Sequence, residues 1–161
     1  MPSIDYRYRM AAPRTDQWAW DRMVDALRLL ALPADTQVAA LPSFVEVPDE
    51  LALSFDEAYR ALTVDGLTGA FSASQLTALA EIDRSLEEMS RPPRGALAWT
   101  PELLELSAWT IDALYADERW GWLRRSARRL LRALGVESGR PDLSHTIYVG
   151  PDRLARPGEN G

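Results

Sequence analysis

The chain has 161 residues, of which 47% are hydrophobic and 26% charged, with a formal net charge of −6 and no cysteine. That length fits one domain able to bury roughly 70% of its unfolded surface, and the composition is that of a globular protein rather than a disordered one. The acidic balance makes nucleic-acid binding an unfavoured reading, and the missing cysteines exclude disulfides, thiolate metal sites and a cysteine nucleophile. No run of about 18 apolar residues suggests a membrane span, and the opening MPSIDYRYRM lacks the apolar core of a signal peptide. A cytoplasmic location is the default expectation. All eighteen basic residues are arginine, which, with abundant Ala, Leu and Pro, suggests a GC-rich bacterial coding bias.

Residues 3–10 alternate: Ile4, Tyr6, Tyr8 and Met10 share one face, with Asp5, Arg7 and Arg9 on the other. The period is that of a half-buried strand. A lone strand is unstable, and the other strand-like stretch is Thr146–Val149. The expectation is that the two pair, within one chain or between two copies.

Thr15 can cap a helix over residues 16–31, with Trp20, Met23, Val24, Leu27 and Leu30 as its core face. Trp18 and Leu29 fall on the opposite side, where Arg22 lies one turn from Trp18, within reach of a cation–π contact. Pro33 and Pro42 bracket a short helical piece, Ala34 to Leu41. Phe44 to Val47 reads as extended ahead of Pro48, followed by a turn at Asp49–Leu53. Ser54-Phe55-Asp56-Glu57 fits a capping box for a helix over residues 55–63, which ends at Asp65-Gly66. Ser72 to Gln75 is a second capping box, for a helix over residues 73–90 with Leu76, Leu79, Ile82, Leu86 and Met89 inward. Arg91-Pro92-Pro93-Arg94-Gly95 breaks it.

The stretch from Trp99 to Gly135 holds four of the six tryptophans and six arginines. Thr100 caps a helix begun by Pro101 and Glu102. Its apolar stripe is wide, which predicts burial on two sides. A break is expected near Ala116–Asp117; the alternative is one continuous helix strained at Gly121. The second helix runs to about Leu134, with Gly135 as its C-terminal cap. Trp120, Leu123, Ala127, Leu130, Leu131 and Leu134 share its core face, and Arg124, Arg125, Arg128, Arg129 and Arg132 its outer face. The expected architecture is mainly α: a compact bundle of five to six helices with a minor two-stranded β element from the two ends. Residues 1–150 would form one domain and 151–161 a mobile tail.

Charge is unevenly placed. Residues 33–90 carry eleven acids against Arg60 and Arg84, whereas 119–132 carry six arginines and no acid. The simplest expectation is that these parts face each other, in one chain or across a homodimer.

Few residues suggest chemistry. His145, the only histidine, follows Ser144 and Asp142, but neighbours in an extended segment point apart and make a poor triad. No Glu-x-x-His pair suits a di-iron bundle, and no phosphate loop or nucleophile elbow occurs. No cofactor or metal is expected. Asp83 lies at the edge of an apolar stripe. A carboxylate there is either a general base or ligand contact, or, the more ordinary reading, a structural partner of an arginine in 119–132.

Trp18, Trp109 and Trp122 sit off the main apolar faces. Tryptophan and arginine are enriched at interface hot spots. These three and the five outer arginines are therefore candidate partner-binding residues; ordinary two-sided helix burial is the blander account. The expected function is a non-enzymatic protein–protein interaction protein, immunity- or adaptor-like, with an unknown protein partner. The alternatives are anion or nucleic-acid binding by the arginine helix and a small-molecule or enzymatic pocket near Asp83.

Overall fold

The computed structural model describes residues 14–146 and residue 148. Among these residues there are seven helices and no strand: α1 (Asp16–Ala31), α2 (Ala34–Ala40), α3 (Val47–Thr63), α4 (Ala73–Ser90), α5 (Pro101–Glu105), α6 (Ile111–Ala116) and α7 (Glu118–Ala133). The chain is mainly helical, as its periodicity predicts. The expected strand at residues 3–10 and the expected tail at 151–161 lie outside the described residues, as do Ile147 and Val149 of the expected strand at Thr146–Val149. No described helix is long and apolar enough to cross a membrane.

Polar side chains set the helix starts by accepting from orphan backbone N–H groups. Thr15 accepts from Trp18 N at 3.1 Å, Thr100 from Leu103 N at 3.2 Å, and Thr110 from Ala113 N at 3.1 Å. Ser72 and Gln75 form a reciprocal capping box. Asp117 accepts from Arg119 N at 2.9 Å and starts α7, placing the break at the expected position. Gly135, at φ 71°, ends α7 in a Schellman turn: Gly135 N reaches Arg132 O and Val136 N reaches Leu131 O, both at 3.0 Å.

Two expected boundaries move. The extended piece, turn and short helix expected over residues 44–63 are a single helix from Val47. Pro48 falls in its first turn, where a missing N–H is harmless, and Ser54 is mid-helix rather than a cap. Leu51, Phe55, Ala58 and Leu62 then make one buried stripe at helical spacing. Conversely, residues 101–116 split into α5 and α6. Ser107 Oγ donates to Leu104 O at 2.7 Å and accepts from Trp109 N at 3.2 Å, which ends the first piece before Thr110 caps the next.

Helix α1 lies between α7 and α3 and packs most extensively against those two; α4 closes the bundle on α7 and α3. This explains Leu29. Its position predicts an outer face, yet it is fully buried alongside Met23, Leu27 and Leu30, because α1 is covered on two sides. From α7 the core takes Trp120, Leu123, Ala127, Leu130 and Leu131. Trp20 and Phe71 stack obliquely at 5.2 Å at the bundle edge.

Candidate functional site

The expected site residues divide into three separate places. Five arginines share one face of α7 in sequence, but the fold uses two of them internally. Helix α1 runs into Pro33 without a glycine cap, so its last carbonyls need donors from elsewhere. Gln37, the one fully buried polar side chain among the described residues, donates to Leu29 O at 3.2 Å and Leu30 O at 3.0 Å. Arg128 Nε donates to Ala31 O at 2.8 Å. Arg124 donates to Leu114 O at the end of α6 and to Gln37 Oε1 at 3.4 Å. Burial, with Arg128 close by, weakens the hold of Arg124 on its proton. Arg124 and Arg128 thus act as helix caps placed in trans.

Arg125, Arg129 and Arg132 remain exposed, with Trp122 (37% exposed) on the same side of α7. Among the described residues no ion pair joins any α7 arginine to the acidic 33–90 region. Arg119 instead pairs with its own cap, Asp117, at 2.7 Å, which holds that carboxyl below the usual range. Trp18 lies elsewhere, on α1, beneath the guanidinium groups of Arg14 and Arg22.

Trp109 belongs to a third place, built at the C-terminus of α4. Pro92 and Pro93 follow that helix and can donate nothing to its last carbonyls. Two indoles do so: Trp109 Nε1 donates to Met89 O at 2.8 Å and Trp99 Nε1 to Ser90 O at 3.0 Å. Trp109 also meets the buried Trp120 edge to face at 5.7 Å, and Trp120 Nε1 donates to Ala108 O at 2.6 Å. The turn between α5 and α6 is thereby pinned to α4 and α7.

Beside this turn runs a groove of about 850 Å³ between α3, the end of α4, α5 and α6. Ala52, Leu53, Trp99, Leu104, Trp109 and Ile111 give it an apolar floor, and Glu46, Asp49 and Glu105 stand at its edges. Along α3 it continues into a recess of about 380 Å³ that shares Ala52, Leu53 and Ser90 and adds Phe55, Leu86, Asp56, Asp83 and Glu87. Leu53 and Leu104 are 51% and 44% exposed, large values for side chains flanking one hollow. The combined lining holds six carboxylates and no arginine.

Asp83 is therefore placed differently from its ordinary sequence reading. It is half-buried on α4 and makes no ion pair with an arginine among the described residues. Burial first, then the charges of Glu87 and Asp56, push its carboxyl above the usual range. Burial and Glu46 do the same to Asp49.

Leu53, Trp99, Leu104 and Ile111 carry no mark in the sequence as groove residues. The one available sign is the surplus width of the apolar stripe after Pro101. Among the described residues no three His, Asp or Glu side chains gather as a metal site. In comparisons with known proteins, the chain matches no family model, no curated protein and no solved structure.

Proposed function

We propose that this chain is a non-enzymatic protein–protein interaction protein, immunity- or adaptor-like, whose groove takes a basic amphipathic segment of a partner protein. The observation that carries this reading is the groove's lining: an apolar floor inside a margin of six carboxylates with no arginine. An apolar trough suits the greasy face of a helix or extended segment, read as regularly spaced anchors. The acidic margin selects cationic flanks and speeds encounter. Arginine or lysine side chains arriving from a partner would counter the burial and the like-charge repulsion that raise Asp49 and Asp83. A partner with a basic face, such as a nucleic-acid-acting toxin, has the complementary charge.

Fluorescence anisotropy with a labelled Leu/Arg amphipathic peptide tests the reading, with the same peptide carrying Glu for Arg as control. The basic peptide binds one to one and more weakly as salt rises. Leu104→Asp and the pair Asp83→Lys with Glu87→Lys each weaken it by at least about tenfold, as loss of an anchor or of a charge partner should. Equal binding of the two peptides, or indifference to Leu104→Asp, overturns the reading.

A second reading, anion or nucleic-acid binding, draws on Trp122, Arg125, Arg129 and Arg132, which lie along the open side of α7. Three cations make a small electrostatic footprint. A salt-dependent mobility shift with duplex DNA or RNA, abolished by Arg125→Ala with Arg129→Ala, would favour it.

A further inference from the structure

A cleft of about 470 Å³ lies on the other flank of α3, between α1, α3 and residues 143–146. Its volume falls in the range of about 300–1,000 Å³ typical of small-ligand sites. Charges of both signs converge there: Arg14, Arg22 and Arg60 are the cations, Asp25 and Glu57 the anions, with His145 at the wall.

Within the cleft, Arg22 attracts Asp25 on its own helix without forming an ion pair with it, and the other charges are partnered elsewhere or not at all. Arg14 pairs outside the lining with Asp65 at 3.0 Å, and Arg60 with Asp56 at 3.3 Å. Asp25 accepts from the backbone N–H of Asp142 at 3.0 Å, which ties the C-terminal wall to α1. Arg22 and Glu57 make no ion pair among the described residues. Among the described residues the cleft thus presents together a guanidinium and a carboxylate that no ion pair holds.

The guanidinium is also pre-positioned. Arg22 lies over the Trp18 ring at 5.5 Å from its centroid, and Arg14 over the same ring at 4.7 Å. Two cations held on one indole have already lost rotamer freedom, so less is lost when an anion arrives. Ala26, Leu29 and Ala58 supply an apolar patch beside them.

A simple anion on Arg22 would also meet the like charges of Asp25 and Glu57, and a simple cation on Glu57 those of Arg14, Arg22 and Arg60; each is unfavourable. A ligand bearing both charges satisfies both. The geometry points to a binding site for a small zwitterion of the α-amino acid class, its carboxylate on Arg22 and its ammonium on Glu57. Trp18 reports the binding. This site is separate from the acidic groove and stands or falls independently of it.

The test uses the full chain, followed by tryptophan fluorescence and calorimetry, against the standard L-amino acids, with inorganic phosphate and acetate as simple anions. At least one amino acid binds saturably with a Kd below about 1 mM. Its N-acetyl derivative, without the ammonium, and its methyl ester, without the carboxylate, each bind at least about tenfold more weakly, as does the parent to Arg22→Ala or Glu57→Gln. Arg22→Lys recovers part of the affinity. Unfolding curves that match the parent chain exclude misfolding of the variants, and the derivatives probe the unaltered protein. No saturable binding, an N-acetyl derivative as good as the parent, or phosphate binding as tightly as the amino acid overturns the assignment.

Discussion

The arginine-rich face of α7 and the acidic groove along α3 are the two most heavily charged regions, and the fold treats them in opposite ways. On α7, Arg124 and Arg128 turn inward to backbone carbonyls at the ends of α6 and α1. In the groove, Asp83 feels the charges of Glu87 and Asp56, and Asp49 that of Glu46, around exposed leucines and without arginine in the lining. Carbonyls at uncapped helix ends are desolvated acceptors that guanidinium forks can satisfy while their stems pack. Carboxylates need donors instead, and Asp117 and Asp25 find backbone N–H groups whereas Asp83 accepts no hydrogen bond among the described residues. Two cations are thereby absorbed into the architecture, whereas in the groove only Asp56 and Glu87 are ion-paired, with Arg60 and Arg91, and Asp49 and Asp83 make no ion pair among the described residues.

The largest effect expected from breaking this contrast lies where the two regions join. Trp120 is fully buried, anchors Ala108 O and supports Trp109, which forms the groove wall. Trp120→Ala should destabilise the chain by about 3–5 kcal/mol, measured by urea unfolding, and Trp120→Phe by less. Retention of parental stability by Trp120→Ala would remove the link between core and groove.

A smaller loss is expected at the carbonyl caps. Gln37→Leu leaves the carbonyls of Leu29 and Leu30 and the head of Arg124 without their partner, at about 1–3 kcal/mol. Arg128→Leu should be comparable. Arg129→Leu, one position along the same helix but facing solvent, should change stability by no more than about 0.5 kcal/mol. If Arg128 and Arg129 respond alike, the division of the arginine face fails.

Smaller again is the effect of the groove floor on folding. Leu104→Ser should leave stability within about 0.5 kcal/mol, because the side chain is already 44% exposed. The same change should lower binding of an apolar dye such as ANS. A large stability loss would mean that Leu104 serves the core rather than a docking surface.

The helices are legible in the sequence where local chemistry decides: Thr15, Ser72, Asp117 and Gly135 start or end elements as their side chains or backbone require. They are illegible where distant contacts decide. Ser54 has every feature of a cap, but Leu51 and Phe55 extend the same buried stripe through it. The turn that Ser107 makes with its own hydroxyl is also pinned by Trp109 reaching Met89 O, twenty residues away. Position on a single helix selects the candidate tryptophans and arginines. Helical wheels do not show that Gln37 and Arg128 cap α1, or that Trp18 and Trp109 serve different hollows. The groove is invisible to such wheels for the same reason, since four elements build it.

The finest distinction concerns Asp83, where the two regions make opposite predictions for one residue. If an arginine of α7 held Asp83, its carboxyl would be depressed, and its contribution to stability would be lost as pH fell through the folded-state value. Its carboxyl is instead raised by burial and by Glu87 and Asp56. A raised folded-state value means that the folded chain binds its proton more tightly than the unfolded chain does. The ionised form therefore disfavours folding at neutral pH, and this penalty fades as pH falls through the raised value toward the ordinary carboxylate range. Asp83→Asn should accordingly raise the midpoint of thermal unfolding at pH 7, by a small amount because the site is half-open to solvent. The gain should shrink steadily on acidification and vanish near the ordinary aspartate value of about 3.9. Asp117, held low by Arg119, supplies the reverse control: Asp117→Asn should be harmful at pH 7 and less so in acid. Thermal melts of both variants across that range give two slopes of opposite sign if Asp83 stands unpaired, and two of the same sign if Asp83 is arginine-paired.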